Sequence, residues 1–381
     1  MRIDQINIYK VTLPFSMDFR HVRKKRPSVK NVIVEIIADR GNIKGYGEGA
    51  PRVYVTGESQ ESASKSVDNF VRRDSFPWEL NEIAQIWEFV DSLPHLKEHH
   101  SAICAIEMSL LDALGKLQNR PAVDYFPKDF YVNKIHYGAS IPLADTERIV
   151  EICQWIGQVG ITQLRLKMGQ DFEQNRGILE AVKLVFGDKV ELRIDSNAAW
   201  DIDLAREHIP LIETHKVKIV EQPMGPEDPH IAQFAEALQN NDGAILMADE
   251  SACSFDEVEK LIKEGHYKMI NVRLSKCGGF RNSLKVIEYL RYRGIPFQIG
   301  CQLGESGILS AAGRALGLLC GDAAYYDGSY DAFLLKENTT LENVSFGPGG
   351  EAKPLEGPGL GVDVSAQSLE RLSTDCMSLS R

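Results

Sequence analysis

Short apolar runs return along the chain at a nearly fixed spacing. From residue 132 onward they occupy 132–141, 163–168, 190–196, 217–223, 244–250, 269–275, 296–303 and 323–328, with starts 31, 27, 27, 27, 25, 27 and 27 residues apart. Each is too short for a helix and continuous enough for a buried strand. The stretches between them, such as 175–186, 254–264 and 281–293, read as helices. Eight strands, each but the last followed by a helix, predict a closed α/β barrel in preference to an open doubly wound sheet. Ahead of them, 3–13 and 31–39 alternate in polarity like strands, and 41–49 reads as a glycine-rich turn between extended segments. Ile103, Ile106, Leu110, Leu114 and Leu117 then draw a helical stripe. The expected organisation is an α+β unit over 1–130, completed by residues 337–381, and a barrel over 131–336.

Composition narrows the partners. Among 381 residues, 43 Lys and Arg stand against 54 Asp and Glu, a net charge of −11. That balance argues against nucleic acid and anionic membranes. No run approaches the ~18 apolar residues of a membrane helix, and the opening residues lack the apolar core of a secretory signal. Seven dispersed cysteines form no C-x-x-C pair. A reduced, cytoplasmic homo-oligomer acting on a small molecule is the expectation.

A barrel of this kind places its chemistry at the C-terminal ends of its strands. The second predicted strand ends Arg165-Leu166-Lys167, the third Asp195-Ser196-Asn197, the fourth Glu221-Gln222-Pro223 and the fifth Asp249-Glu250-Ser251. The sixth ends Lys276-Cys277-Gly278-Gly279, and Gly304-Glu305-Ser306 follows the seventh. Single carboxylates at strand ends are ordinary helix caps. Three on adjacent strands, Asp195, Glu221 and Asp249, would repel one another unless a hard cation joined them, magnesium first and manganese next. Strands two and six lie four apart, hence diametrically opposed, so Lys167 and Lys276 are expected to flank that ion and exchange a proton with a planar intermediate. Arg165 shares the inward face of Lys167 and should lower its pKa.

At these residues the chain resembles the enolase superfamily, in its muconate-lactonizing-enzyme subgroup. The motifs, in order, are RLK ending at Lys167, DSN from Asp195, EQP from Glu221, ADES from Ala248, KCGG from Lys276 and GES from Gly304, with the helix segment 105–116 ahead of them. The resemblance implies a modified (β/α)7β barrel under an α+β cap. It implies Mg2+ (Mn2+ as substitute) on Asp195, Glu221 and Asp249, and Lys167 and Lys276 as the acid/base pair. Asn197, Glu250 and Glu305, with Arg165, would support them. The reaction it implies is proton abstraction alpha to a carboxylate, giving a racemase or epimerase of N-acyl amino acids or dipeptides. A cycloisomerase or dehydratase using the same site is the alternative, and a non-catalytic metal-binding relative a third. Arg165 departs from the lysine common in relatives.

The resemblance implies that two loops of the cap cover the substrate, here 14–29 and 49–58; the first carries Arg20 and His21 within a basic cluster that reads either as a solvated charge run or as an attractor of an anionic substrate. On the last strand, Asp327-Gly328-Ser329-Tyr330-Asp331 stands where dipeptide epimerases carry Asp-x-Asp, so Asp327, Ser329 and Asp331 are candidates although that motif is broken. Gly45-Tyr46-Gly47-Glu48-Gly49 is not a dinucleotide fingerprint, because no helix starts there.

Overall fold

The computed structural model describes residues 1–21, 24–239 and 243–381, without the side chains of 17–21 and 24–26. Three antiparallel strands open the chain: β1 (Ile3–His21), β2 (Lys24–Ala38) and β3 (Ile43–Gly49). The helices α1 (Gln60–Val71), α2 (Ile83–Asp91) and α3 (His100–Gln118) follow. The segment predicted as a glycine turn is itself mostly strand, with the turn confined to 39–42. Its glycines serve packing. Gly45, Gly47 and Gly49 point one way, and a Cβ on any of them would press into the carbonyl oxygens of Ser109, Ala105 and Ser101 on α3. Three side chains of hydrogen let the helix backbone lie directly on the sheet.

The barrel strands follow in chain order and all run parallel: β5 (Ala139–Ile141), β6 (Gln163–Lys167), β7 (Glu191–Asp195), β8 (Ile219–Glu221), β9 (Ile245–Ala248), β10 (Met269–Val272), β11 (Phe297–Ile299) and β12 (Tyr325–Tyr326). The Gly138 N–H donates to the Tyr326 carbonyl at 2.8 Å, joining the first strand to the last. The short β4 (Ile135–His136) pairs with β13 (Glu351–Ala352) outside this ring. Around it lie α4 (Thr146–Val159), α5 (Phe172–Phe186), α6 (Ile202–Glu207), α7 (Ile209–Thr214), α8 (Ile231–Gln239), α9 (Phe255–Glu264), α10 (Leu274–Cys277), α11 (Gly279–Arg293), α12 (Gly307–Leu319) and α13 (Asp331–Leu334). Asp145, Asp171, Asp201 and Ser254 cap α4, α5, α6 and α9 through side-chain oxygens. The strands are shorter than the apolar runs because each run also supplies the turn that follows.

The end of the chain returns to the beginning. After α14 (Ala366–Leu372), β14 (Ser373–Ser380) pairs antiparallel with β1, from Gln5 opposite Ser380 to Val11 opposite Ser373. Two buried carboxylates, one from β3 and one from α3, lock the N-terminal elements to the barrel. Glu48 of β3 accepts from the Ser306 N–H at 3.0 Å, the Ser306 hydroxyl at 2.7 Å and the Leu309 N–H at 3.0 Å, at the start of α12. Glu107 of α3 accepts from the Phe280 and Arg281 N–H groups at 2.6 and 2.8 Å, at the start of α11. Both pairs use the unsatisfied donors of a helix N-terminus.

Candidate active site

Alternation along β6 turns Arg165 and Lys167 inward together. The Lys167 ammonium donates to Asp195 Oδ2 at 2.5 Å and to Asn197 Oδ1 at 2.7 Å. Arg165 lies 3.3 Å from Glu221 Oε2 and 3.7 Å from Asp195 Oδ2, and its Nε is 3.3 Å from Asp327 Oδ2. The turn after β7 holds Asn197 and Ala198 at φ of +45° and +59°. This lets the Asn197 N–H reach Asp195 Oδ1 at 2.9 Å while its amide donates to Glu250 Oε1 at 3.1 Å.

Asp195, Glu221 and Asp249 are fully buried, and Asp195 and Glu221 are direct neighbours in the β7–β8 register. Their company is cationic. Besides Arg165 and Lys167, Arg273 pairs with Asp249 and lies 3.6 Å from Glu221 Oε1. The donor chemistry fits a hard divalent ion, being a buried all-oxygen set from neighbouring strands. Beside it Glu250 Oε2 and Asn271 Oδ1 are buried with no hydrogen-bond partner among the described residues. As they stand, the carboxylates are turned to the chain's own cations, and among the described residues no three His, Cys, Asp or Glu side chains are arranged to clasp an ion. Arginine and lysine thus already offset much of the repulsion that the sequence assigned to a metal.

Lys276 is not where the sequence placed it. β10 stops at Val272 and a helical turn, α10, follows. Lys276 therefore sits one turn beyond the strand, fully buried, and donates to the Asp249 carbonyl at 2.8 Å, the Asn271 carbonyl at 2.5 Å and Asp249 Oδ1 at 3.1 Å. Burial lowers its pKa. The cavity that Lys167 lines is closed on the far side by Arg273. Arg273 was missed because the apolar run continues to residue 275. Period-two alternation counted from Met269 would have found it, since Asn271 and Arg273 fall on one face.

Three further residues went unread. Asn271 donates to Glu221 Oε1 at 2.7 Å. Gln222, held at φ +36°, accepts through Oε1 from the Asp249 and Ser251 N–H groups at 3.0 Å each and so sets the turn after β9. Arg193, fully buried, grips Asp327 with two nitrogens, at 2.8 Å to Oδ1 and 3.1 Å to Oδ2. Burial alone would raise the Asp327 carboxyl, but the Arg193 and Arg165 guanidiniums override it and hold the pKa down to about 2. Both Asp327 oxygens are thereby committed to arginine.

The cavity encloses about 1100 Å³, counting space open to solvent at its mouth. Arg165, Lys167, Asn197, Glu250, Arg273 and Glu305 form its charged floor, and Tyr54 enters from the 49–58 segment. Burial and the charge of Asp195 push the Glu250 pKa up to about 7, and burial pushes Glu305 up to about 8. Ser329 and Asp331 line one side. Ser329 accepts from Arg314 at 3.2 Å and Asp331 Oδ2 from the Asn338 amide at 2.6 Å. The outer wall is aromatic: Trp155 and Phe333 have ring centroids 5.5 Å apart, and Phe333 and Phe346 5.4 Å. The Arg20 and His21 side chains lie outside the described residues.

Two family descriptions cover most of the chain: Enolase C-terminal domain-like over 148–368, and Mandelate racemase / muconate lactonizing enzyme, N-terminal domain, over 5–126. A hydrophobic dipeptide epimerase of Enterococcus faecalis is 26% identical over 372 residues, 95% of this chain and 99% of that protein. An N-succinyl-L-Arg/Lys racemase of Bacillus cereus is 26% identical over 392 residues, 98% of each chain. The crystal structure of an N-succinyl Arg/Lys racemase from the same species superposes with a TM-score of 0.86 at 23% identity over 100% of both chains. That of a Cytophaga hutchinsonii dipeptide epimerase, complexed with Mg and D-Ala-L-Val, gives 0.83 at 21% identity, again over 100% of both. With both halves matched in order and the barrel mouth carrying the expected strand-end motifs, the chain belongs to the mandelate racemase and muconate lactonizing enzyme family of the enolase superfamily.

Proposed function

We propose that this protein is an isomerase that removes the proton alpha to the carboxylate of a small amino-acid derivative, in the racemase or epimerase class named for its relatives. The observation that carries this reading is Lys167, an amine at a strand end that lines a cavity also lined by Arg165 and Arg273. In its neutral form the Lys167 amine takes the α-proton, and the electron pair of the broken C–H bond moves into the carboxylate as an enolate. The two guanidiniums and the buried cation–carboxylate network are set before substrate arrives, so the growing negative charge meets fixed positive charge. Asp195, Glu221 and Asp249 would hold a magnesium ion, which when bound supplies a Lewis acid for the substrate carboxylate. Asn197 tethers Lys167 to Glu250 and fixes the direction of the amine. The aromatic wall of Trp155, Phe333 and Phe346 favours an apolar acyl group or side chain on the substrate. Asp327, gripped by Arg193 and Arg165, is not free to hold a substrate ammonium, which favours N-acyl amino acids over dipeptides.

The test is α-proton exchange with deuterated water, followed by NMR and mass spectrometry, for N-succinyl and N-acetyl amino acids and hydrophobic dipeptides in the presence of magnesium. Exchange with at least one is expected, and Lys167→Ala should reduce it by about 10³-fold. Absence of exchange throughout would sink the reading.

A further inference from the structure

The two faces of the cavity are chemically unequal. β6 and β10 stand four strands apart in the ring of eight, so Lys167 and Arg273 face one another across the mouth. Arg273 is fixed by three partners: it pairs with Asp249, lies 3.6 Å from Glu221 and donates to Gln302 Oε1 at 2.9 Å. A guanidinium is a fork of N–H donors that stays charged and offers no lone pair to take up a proton. Lys276, the lysine on that side, is sealed beneath the floor with its donors on two backbone carbonyls and Asp249.

We infer that Arg273 is an anion-holding group and that the α-carbon is worked from the Lys167 side alone. This rests on the reading of Lys167 as the base. The C–H bond facing Lys167 breaks, its proton goes to the amine lone pair and its electron pair to the enolate. The Lys167 ammonium exchanges its hydrogens with solvent, and delivery of one of these to the same face restores the starting configuration with solvent hydrogen in place of the original. Inversion needs a proton delivered from the opposite face, where no lysine among the described residues lines the cavity and a fixed cation stands, so it is the slow step of racemisation. Exchange should therefore outrun inversion, and only the antipode that presents its α-hydrogen to Lys167 should exchange readily. An enolate held this way is also suited to ring closure or syn loss of a β-substituent on the Lys167 face, the cycloisomerase and dehydratase alternatives.

The experiment uses the magnesium-supplemented enzyme and separate D and L antipodes of N-succinyl and N-acetyl phenylalanine, leucine, lysine and arginine. Deuterium incorporation is read by mass spectrometry and inversion by chiral chromatography. One antipode of a pair should exchange at least tenfold faster than the other and at least tenfold faster than it inverts. Arg273→Lys should raise the ratio of inversion to exchange, a change that a purely structural arginine would not produce. Comparable exchange of both antipodes, with inversion keeping pace, overturns the inference while leaving Lys167 as the base. No exchange by any antipode overturns both.

Discussion

Gly47 shows how little room a single atom has in this molecule. Its missing side chain lets the Ala105 carbonyl of α3 rest on β3, and no flexible group is there to give way. Gly47→Ala should destabilise the protein by about 3 kcal/mol, at the upper end of overpacking costs. A urea titration would read this as a lower midpoint at unchanged slope. The buried carboxylates at the barrel mouth obey a different constraint, since each needs positive charge within reach. Titration calorimetry of magnesium into chelator-treated protein should show saturable binding that Asp195→Asn or Glu221→Gln weakens by at least tenfold. Unchanged affinity in both variants would remove these residues as ligands.

Helix ends carry the alignment of one layer on the other. The start of α11 has its Phe280 and Arg281 N–H groups satisfied by Glu107, a side chain from 173 residues earlier in the sequence. Gly279, at φ +91°, permits this, because a Cβ there would collide with the Glu107 carboxylate. Glu107→Ala should cost about 2 kcal/mol by orphaning two donors, and Glu107→Gln less than half of that because one acceptor oxygen remains. Equal losses for the two variants in chemical denaturation would point to cavity formation instead. Gly278-Gly279 was legible only as part of a family motif, whereas its physical reason, an acid from another layer, is a contact across the fold. The turn α10 belongs to the same lesson. Period and polarity locate a strand near residue 270, but where it stops decides whether Arg273 or Lys276 meets the cavity. That depends on the backbone hydrogen bonds of its neighbours.

The whole molecule is closed by charges and by its own C-terminus. Arg193, Arg165 and Asp327 link β7, β6 and the end of β12 inside the barrel. With Asp327 held at about 2 in the folded protein against an ordinary 3.8, the native state binds fewer protons. Its contribution, on the order of 2 kcal/mol, is complete above pH 4 and lost as pH falls towards 2. Asp327→Asn should flatten the stability profile in that window, measured by denaturation at a series of pH values. At the other end, removing residues 373–381 deletes β14 and bares the edge of β1. The shortened protein should self-associate, with light scattering rising on incubation while the full chain stays clear.

The order and kind of elements were written in the chain, because a strand buried on both faces must be apolar throughout and a surface helix must repeat at 3.6 residues. The carboxylates Asp195, Glu221 and Asp249, with Lys167 and Arg165, were legible for the same reason: they end apolar runs at a fixed period, and the barrel brings equivalent ends together. Which charges meet which was beyond that pattern. The Arg193 grip on Asp327, the burial of Lys276 and the exposure of Arg273 to the cavity are set by contacts between distant segments, 134 residues apart for Arg193 and Asp327 and 176 for His100 and Lys276. Only the packed structure fixes them, because pairing energies depend on burial and geometry that a linear order of residues does not contain.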